Sequence, residues 1–143
     1  MVALHDMALK RRVRPTHIFV QELKEGNTWG LQQLEIPQLW KTTQGADINV
    51  AVLDTGVYGE HPALAKRVKE FVIINPLGRR IKASPSFDSG CHGTQVCGTI
   101  AAGKTANGLN IGIAPEANLL VAGVMLGNAN LRSIIEGITR DVL

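Results

Sequence analysis

Ile48-Asn49-Val50-Ala51-Val52-Leu53-Asp54-Thr55-Gly56 is the stretch whose reading decides the fold. Its first six residues are nearly all apolar and rich in β-branched side chains. A short run of this kind suggests a strand covered on both faces, as in a parallel sheet. Asp54-Thr55-Gly56 closes it with a turn signal. Downstream, Pro62–Arg67 reads as a short helix and Val68–Ile74 as a second strand. Residues 75–90, punctuated by Pro76, Gly78, Pro85 and Gly90, read as one long loop. His92–Ala102 reads as a tightly packed helix, 103–112 as a loop and Ala117–Leu126 as a third strand. Residues 127–130 form a turn, and Arg132–Val142 has the pattern of an amphipathic helix. Strands alternating with helices predict an α/β layered fold around a mostly parallel sheet.

Upstream of the decisive stretch, Leu31, Leu34 and Ile36 are apolar, and Pro37 can open a helix that carries Leu39 and Trp40. Thr42-Thr43-Gln44-Gly45 stops it. Glu25-Gly26-Asn27 reads as a turn. Residues 1–28 show no clear period and are assigned as an N-terminal extension or pro-segment remnant ahead of 29–143. Lys10, Arg11, Arg12 and Arg14 cluster in it. The plain reading is a solvated arm; the sharper one is an anionic partner.

Length and composition bound the function. The 143 residues suffice for one domain, and 45% hydrophobic with 19% charged residues is the balance of a globular chain. A net charge of +3 is too mild to argue for nucleic acid. No apolar run approaches the roughly 18 residues of a membrane span. The first fourteen residues mix charge and apolar groups, unlike a secretory signal. No nucleic-acid or membrane partner is therefore expected, and a cytoplasmic location is the default. Cys91 and Cys97 lie six apart at the start of one helix, where a disulfide would need the helix distorted.

Two motifs carry chemistry. Asp54 closes a buried strand, where open α/β sheets place their sites. By itself the acid has three readings: a turn cap, the acid of an aspartic protease, or the acid of a nucleophile–base–acid triad. His92-Gly93-Thr94-Gln95-Val96-Cys97-Gly98-Thr99-Ile100-Ala101-Ala102 favours the third. A histidine in the first turn of a helix can lean into a cleft. Gly93 lets another backbone come close, and Gly98 and Ala101 would let the helix pack tightly on the sheet. A general base needs a rigid support and one ring nitrogen free to reach a nucleophile. The aspartic reading leaves this second motif unexplained and finds no second Asp-Thr-Gly in the chain.

Taken in order, these motifs resemble the N-terminal part of a subtilisin-like serine protease (subtilase) catalytic domain over residues 29–143. Trp29-Gly30-Leu31 and Ile36-Pro37 to Trp40 resemble its approach to the first core strand, and Val50–Gly56 with His61-Pro62 its aspartate motif. His92–Ala102 resembles its histidine motif, and Gly112-Ile113-Ala114-Pro115 the stretch that follows. The resemblance implies a three-layer α/β fold with a mostly parallel central sheet, incomplete at the C-terminus. It implies that Asp54 and His92 are catalytic, with a polypeptide as substrate. Leu126, Asn128, Ala129 and Asn130 would line the groove that takes extended substrate.

The departures from the family carry expectations too. No Gly-Thr-Ser segment follows His92; Ser84, Ser86, Ser89 and Ser133 stand in no such motif. Without a nucleophile no acyl-enzyme forms, so the isolated chain is expected to be inactive. A non-catalytic relic or interaction piece is the alternative. Missing strand neighbours would leave a sheet edge open to self-association. Ala63 stands where some subtilases carry a calcium-binding aspartate, and 103–112 holds no run of carboxylates. No metal or other cofactor is expected.

Overall fold

The computed structural model describes residues 26–126, together with 134–136 and 138. The decisive stretch is a strand. β1 (Gly26–Asn27) leads into α1 (Trp29–Gln33) and α2 (Ile36–Leu39), then β2 (Asn49–Asp54), β3 (Val68–Ile74) and β4 (Arg80–Lys82). α3 (His92–Ala101), β5 (Leu109–Asn110) and β6 (Asn118–Gly123) complete the order. The main sheet runs β2-β6-β3-β4, with β6 parallel to both β2 and β3 and only β4 antiparallel. This is the mostly parallel α/β sheet anticipated above.

Alternation along the strands divides the interior in two. Val52, Phe71, Leu119 and Val121 face the side covered by α3, where they meet Cys97 and Ala101. Val72, Ile74, Ala122 and Val124 face the other side with Leu53 and Leu120, and Ile134 packs against them. Residues 134–136 and 138 are helical. Helix therefore covers both faces of the sheet, and the apolar run of β2 is explained: each of its faces has a layer to meet.

Several local expectations change. Pro62–Arg67 forms successive turns rather than a helix, with three-residue bonds from Leu64 N–H to His61 and from Arg67 N–H to Leu64. Lys66 sits at φ 74°, a left-handed conformation that stops any helix from propagating. The loop at 75–90 contains β4. Asn75 Oδ1 accepts the N–H groups of Leu77 and Arg79 and turns the chain back on β3. Every residue of β4 is exposed, so no hydrophobic pattern announces it. Gly26–Asn27 is a strand rather than a turn; it pairs in parallel with Leu109–Asn110, inside the expected 103–112 loop. The third strand ends at Gly123, because the Val124 and Met125 N–H groups both turn to the Asp54 carbonyl. Asn128, Ala129 and Asn130, and most of the expected last helix, lie outside the described residues.

Among the described residues, no helix is long and apolar enough to cross a membrane.

Candidate active site

β2 delivers Asp54 to its carboxyl end, and two hydrogen bonds donated by the Val124 and Met125 N–H groups to the Asp54 carbonyl pin that end against the continuation of β6. Asp54 is 6% exposed, the one buried charged residue among those described. α3 begins with His92, whose side chain remains 68% exposed. His92 Nδ1 lies 2.9 Å from each Asp54 carboxylate oxygen.

Burial raises the Asp54 pKa, but hydrogen bonds outweigh it. The Thr55 N–H donates to Oδ1 at 2.7 Å, and the His92 ring adds a hydrogen bond and its charge. The carboxyl group is held below its ordinary value and is ionised near neutral pH. An ionised carboxylate only accepts, so Nδ1 carries the proton and donates it. In the neutral ring Nε2 is then a lone pair. Asp54 is the one hydrogen-bond partner of the ring among the described residues. The arrangement can take up a proton at Nε2 while the carboxylate holds the ring and stabilises the imidazolium.

Close approach of two backbones makes this possible. A Cβ on Gly93 would lie 2.1 Å from the Gly56 carbonyl oxygen, so α3 reaches the end of β2 only with glycine at 93. Gly98 behaves otherwise: a Cβ there would meet nothing within 4 Å. It borders a cavity of about 550 Å³ shared with Tyr58, His61, Leu64 and Ile111. The expectation that Gly98 is needed for close packing is corrected on that ground; buried Ala101 keeps its place in the core.

The other sequence-derived residues fall as follows. Leu126 lies just beyond β6, partly buried, while the remaining three proposed groove residues are outside the described set. Both cysteines are free. Cys97 is fully buried in the α3 core, and burial, then the charges of Asp54 and Asp88, push its thiol up to about 12. Ala63 is buried in the same core, and its side chain carries no oxygen. Among the described residues no three His, Cys, Asp or Glu side chains gather.

One participant was missed. Asp88 accepts hydrogen bonds from Thr55, Gly90 and Thr94 around the start of α3. Burial raises its pKa, but these bonds prevail and hold it below the ordinary carboxylate value. An acid just ahead of a helix start is a capping signal that could have found it. Cys91, the residue at the N-cap itself, makes no such bond.

Acid sensitivity follows with a definite sign. Asp54 and Asp88 both titrate lower folded than unfolded. Their contribution to stability is complete above the ordinary aspartate value near 3.9 and is lost as pH falls through their lower folded values. Urea midpoints are expected to hold level from about pH 7 to about 5 and to drop below about pH 4. Asp54→Asn and Asp88→Asn should each flatten that drop; an unchanged acid limb in both variants would contradict the assignment.

Comparison with known proteins bears on this geometry. Residues 45–140 match the subtilase family. The chain is 35% identical over 141 residues to an intracellular serine protease of Paenibacillus polymyxa, covering 92% of this chain and 41% of that protein. It is 37% identical over 130 residues to the major intracellular serine protease of Bacillus subtilis, covering 86% and 38%. The crystal structure of fervidolysin from Fervidobacterium pennivorans, a keratinolytic enzyme related to subtilisin, superimposes with a TM-score of 0.56 at 34% identity. That match covers 71% of this chain and 16% of fervidolysin. The chain spans about two fifths of the length of the first two relatives.

Proposed function

The chain belongs to the subtilase family of serine proteases, and on that premise we propose that it supplies the acid–base half of a serine endopeptidase. The observation that carries this is the contact of His92 Nδ1 with both Asp54 oxygens at 2.9 Å, the other ring nitrogen being left for a nucleophile. In the proposed reaction a serine hydroxyl gives its proton to His92 Nε2 as its oxygen attacks a peptide carbonyl. The protonated ring, steadied by Asp54, then passes that proton to the leaving amine and an acyl-enzyme remains. Water, deprotonated by the same nitrogen, releases the acid. The serine is assigned to a Gly-Thr-Ser segment that these 143 residues do not carry. Among the described serines, Ser86 Oγ accepts the Gly59 N–H, and Ser89 donates to the Thr55 and Met125 carbonyls. Neither is bonded to His92.

The substrate is a polypeptide, and Leu126, Asn128, Ala129 and Asn130 flank it in this reading. Both bacterial relatives are intracellular serine proteases, and the same reading places this chain inside the cell. A non-catalytic relic is not favoured, since the pair keeps a geometry that interaction alone would not require. Joining residues 29–143 in cis to the downstream part of the Paenibacillus polymyxa relative and assaying peptide hydrolysis tests the proposal. Turnover sensitive to a serine-directed inhibitor is expected; a folded chimera without turnover would overturn it.

Self-association belongs to the same proposal. β2 pairs on one side only among the described residues, and Ile48, just before it, is 57% exposed. An open parallel edge invites a second strand. Sedimentation should show mass rising with concentration, and a monomer at every concentration would exclude it.

A further inference from the structure

A single carboxylate gathers four hydrogen bonds that the proposed reaction does not use. Asp88 Oδ1 accepts the Thr55 hydroxyl at 2.6 Å and the Gly90 N–H at 3.0 Å. Its Oδ2 accepts the Thr94 N–H at 2.8 Å and the Thr94 hydroxyl at 2.5 Å. The surrounding backbone holds Asp88 there: Gly56 and Asp88 form a bridge, with Val57 N–H bonded to the Phe87 carbonyl and Ser89 N–H to the Thr55 carbonyl.

Because an ionised carboxylate only accepts, both hydroxyls must donate to it, and their lone pairs are left for N–H groups. Thr55 Oγ1 accepts the Gly93 N–H at 3.0 Å, and Thr94 Oγ1 accepts the Tyr58 N–H at 3.0 Å. Thr55 follows Asp54 in the chain, and Gly93 follows His92. The route from Asp88 through the Thr55 hydroxyl to the Gly93 N–H therefore joins the residue beside the acid to the residue beside the base. Proton direction is fixed at each step. Reversing one hydroxyl would point a donor at a donor.

We infer that Asp88 is a positioning residue for the Asp54–His92 pair, acting through Thr55 and Gly93 and touching neither member of the pair. This rests on the reading of Asp54 and His92 as the acid–base pair. The physical need is plain: a displacement of about 1 Å in such a pair can cost roughly a hundredfold in rate. The 68% exposed imidazole has little packing of its own to prevent it. Support must come from the backbone on either side, where Asp88 applies it.

The test uses the full 143-residue chain labelled with 15N-histidine, with the protonation of His92 Nδ1 read by NMR. The parental chain is expected to show a slowly exchanging Nδ1–H and one ring tautomer. Asp88→Asn offers one oxygen where four donors need acceptors, and the slowly exchanging signal should be lost while the sheet amides keep their shifts. Should that variant not fold, Thr55→Val and Thr55→Ser decide. Val should lose the signal, and Ser, which restores the hydroxyl, should keep it. An unchanged signal in Asp88→Asn or in Thr55→Val overturns the inference, as does a loss in Ser equal to that in Val. Absence of the signal from the folded parental chain would instead sink the acid–base pair itself, and the inference with it.

Discussion

Purified as its 143 residues, the chain is expected to show no peptide hydrolysis sensitive to serine-directed inhibitors. Joined to the nucleophile-bearing part of a relative, it should show such hydrolysis, and His92→Ala should then remove it. The physical ground is that the pair can move a proton but cannot form the acyl bond. In the proposed reaction Asp54 orients, His92 accepts, and a third group must attack. The size of the effect is that measured for subtilisin, a member of this family, rather than one obtained from this geometry: losing the serine or the histidine costs about 10⁶ in kcat. Asp54→Asn should cost less, on the order of 10⁴, because an amide can leave the ring in place but favours the wrong tautomer. The ranking is as informative as the sizes. Equal turnover in the chimera and its His92→Ala form would show that His92 is not the base. Inhibitor-sensitive turnover by the unjoined chain would show that a serine already present serves as nucleophile.

Two glycines of one helix are expected to respond to alanine in opposite directions. At Gly93 the new methyl would stand 2.1 Å from the Gly56 carbonyl oxygen and 3.1 Å from the Gly56 nitrogen and carbonyl carbon. That neighbour is backbone just past the end of β2, its place fixed by the bridge to Asp88. A Cβ on Gly56, at φ +120°, would in turn meet the Phe87 carbonyl oxygen at 2.2 Å. Overpacking of this kind costs about 1–3 kcal/mol, and the upper end applies where no side chain can yield. Alanine's helical advantage over glycine is only about 1 kcal/mol. Gly93→Ala should therefore lose about 2 kcal/mol or more. It should also drive the His92 end of α3 away from Asp54. At Gly98 the methyl would enter open space, so the propensity gain stands alone and about 0.5–1 kcal/mol of stabilisation is expected. Urea denaturation of both variants measures this. Shifts of the same sign at the two sites would refute it.

How far the fold was legible depends on where each element finds its partners. β2 and β3 were readable because their apolar residues are consecutive and both faces are covered, by α3 and by the helical residues from 134. α3 was readable from its run of small residues after His92. β4 was not, since its three residues are all exposed and only the Asn75 turn lays them on β3. β1 and β5 are two residues each and stand 83 apart in sequence, so neither carries a pattern of its own. Pro62–Arg67 failed as a helix because Lys66 turned left-handed, which no local preference of lysine announces.

By itself the amino-acid order determined which chemical groups exist and which elements offer them: a carboxylate ending an apolar strand and an imidazole opening a helix of small residues. Those depend on neighbours in the chain, which a sequence displays directly. Only the tertiary structure decided that both Asp54 oxygens meet Nδ1, that Gly93 and not Gly98 is compelled to be glycine, and that the Thr55 hydroxyl meets Asp88. Each of these is a contact between segments more than thirty residues apart, or the lack of one. Such contacts are set by how strands and helices stack, a matter of packing distance on which local composition is silent.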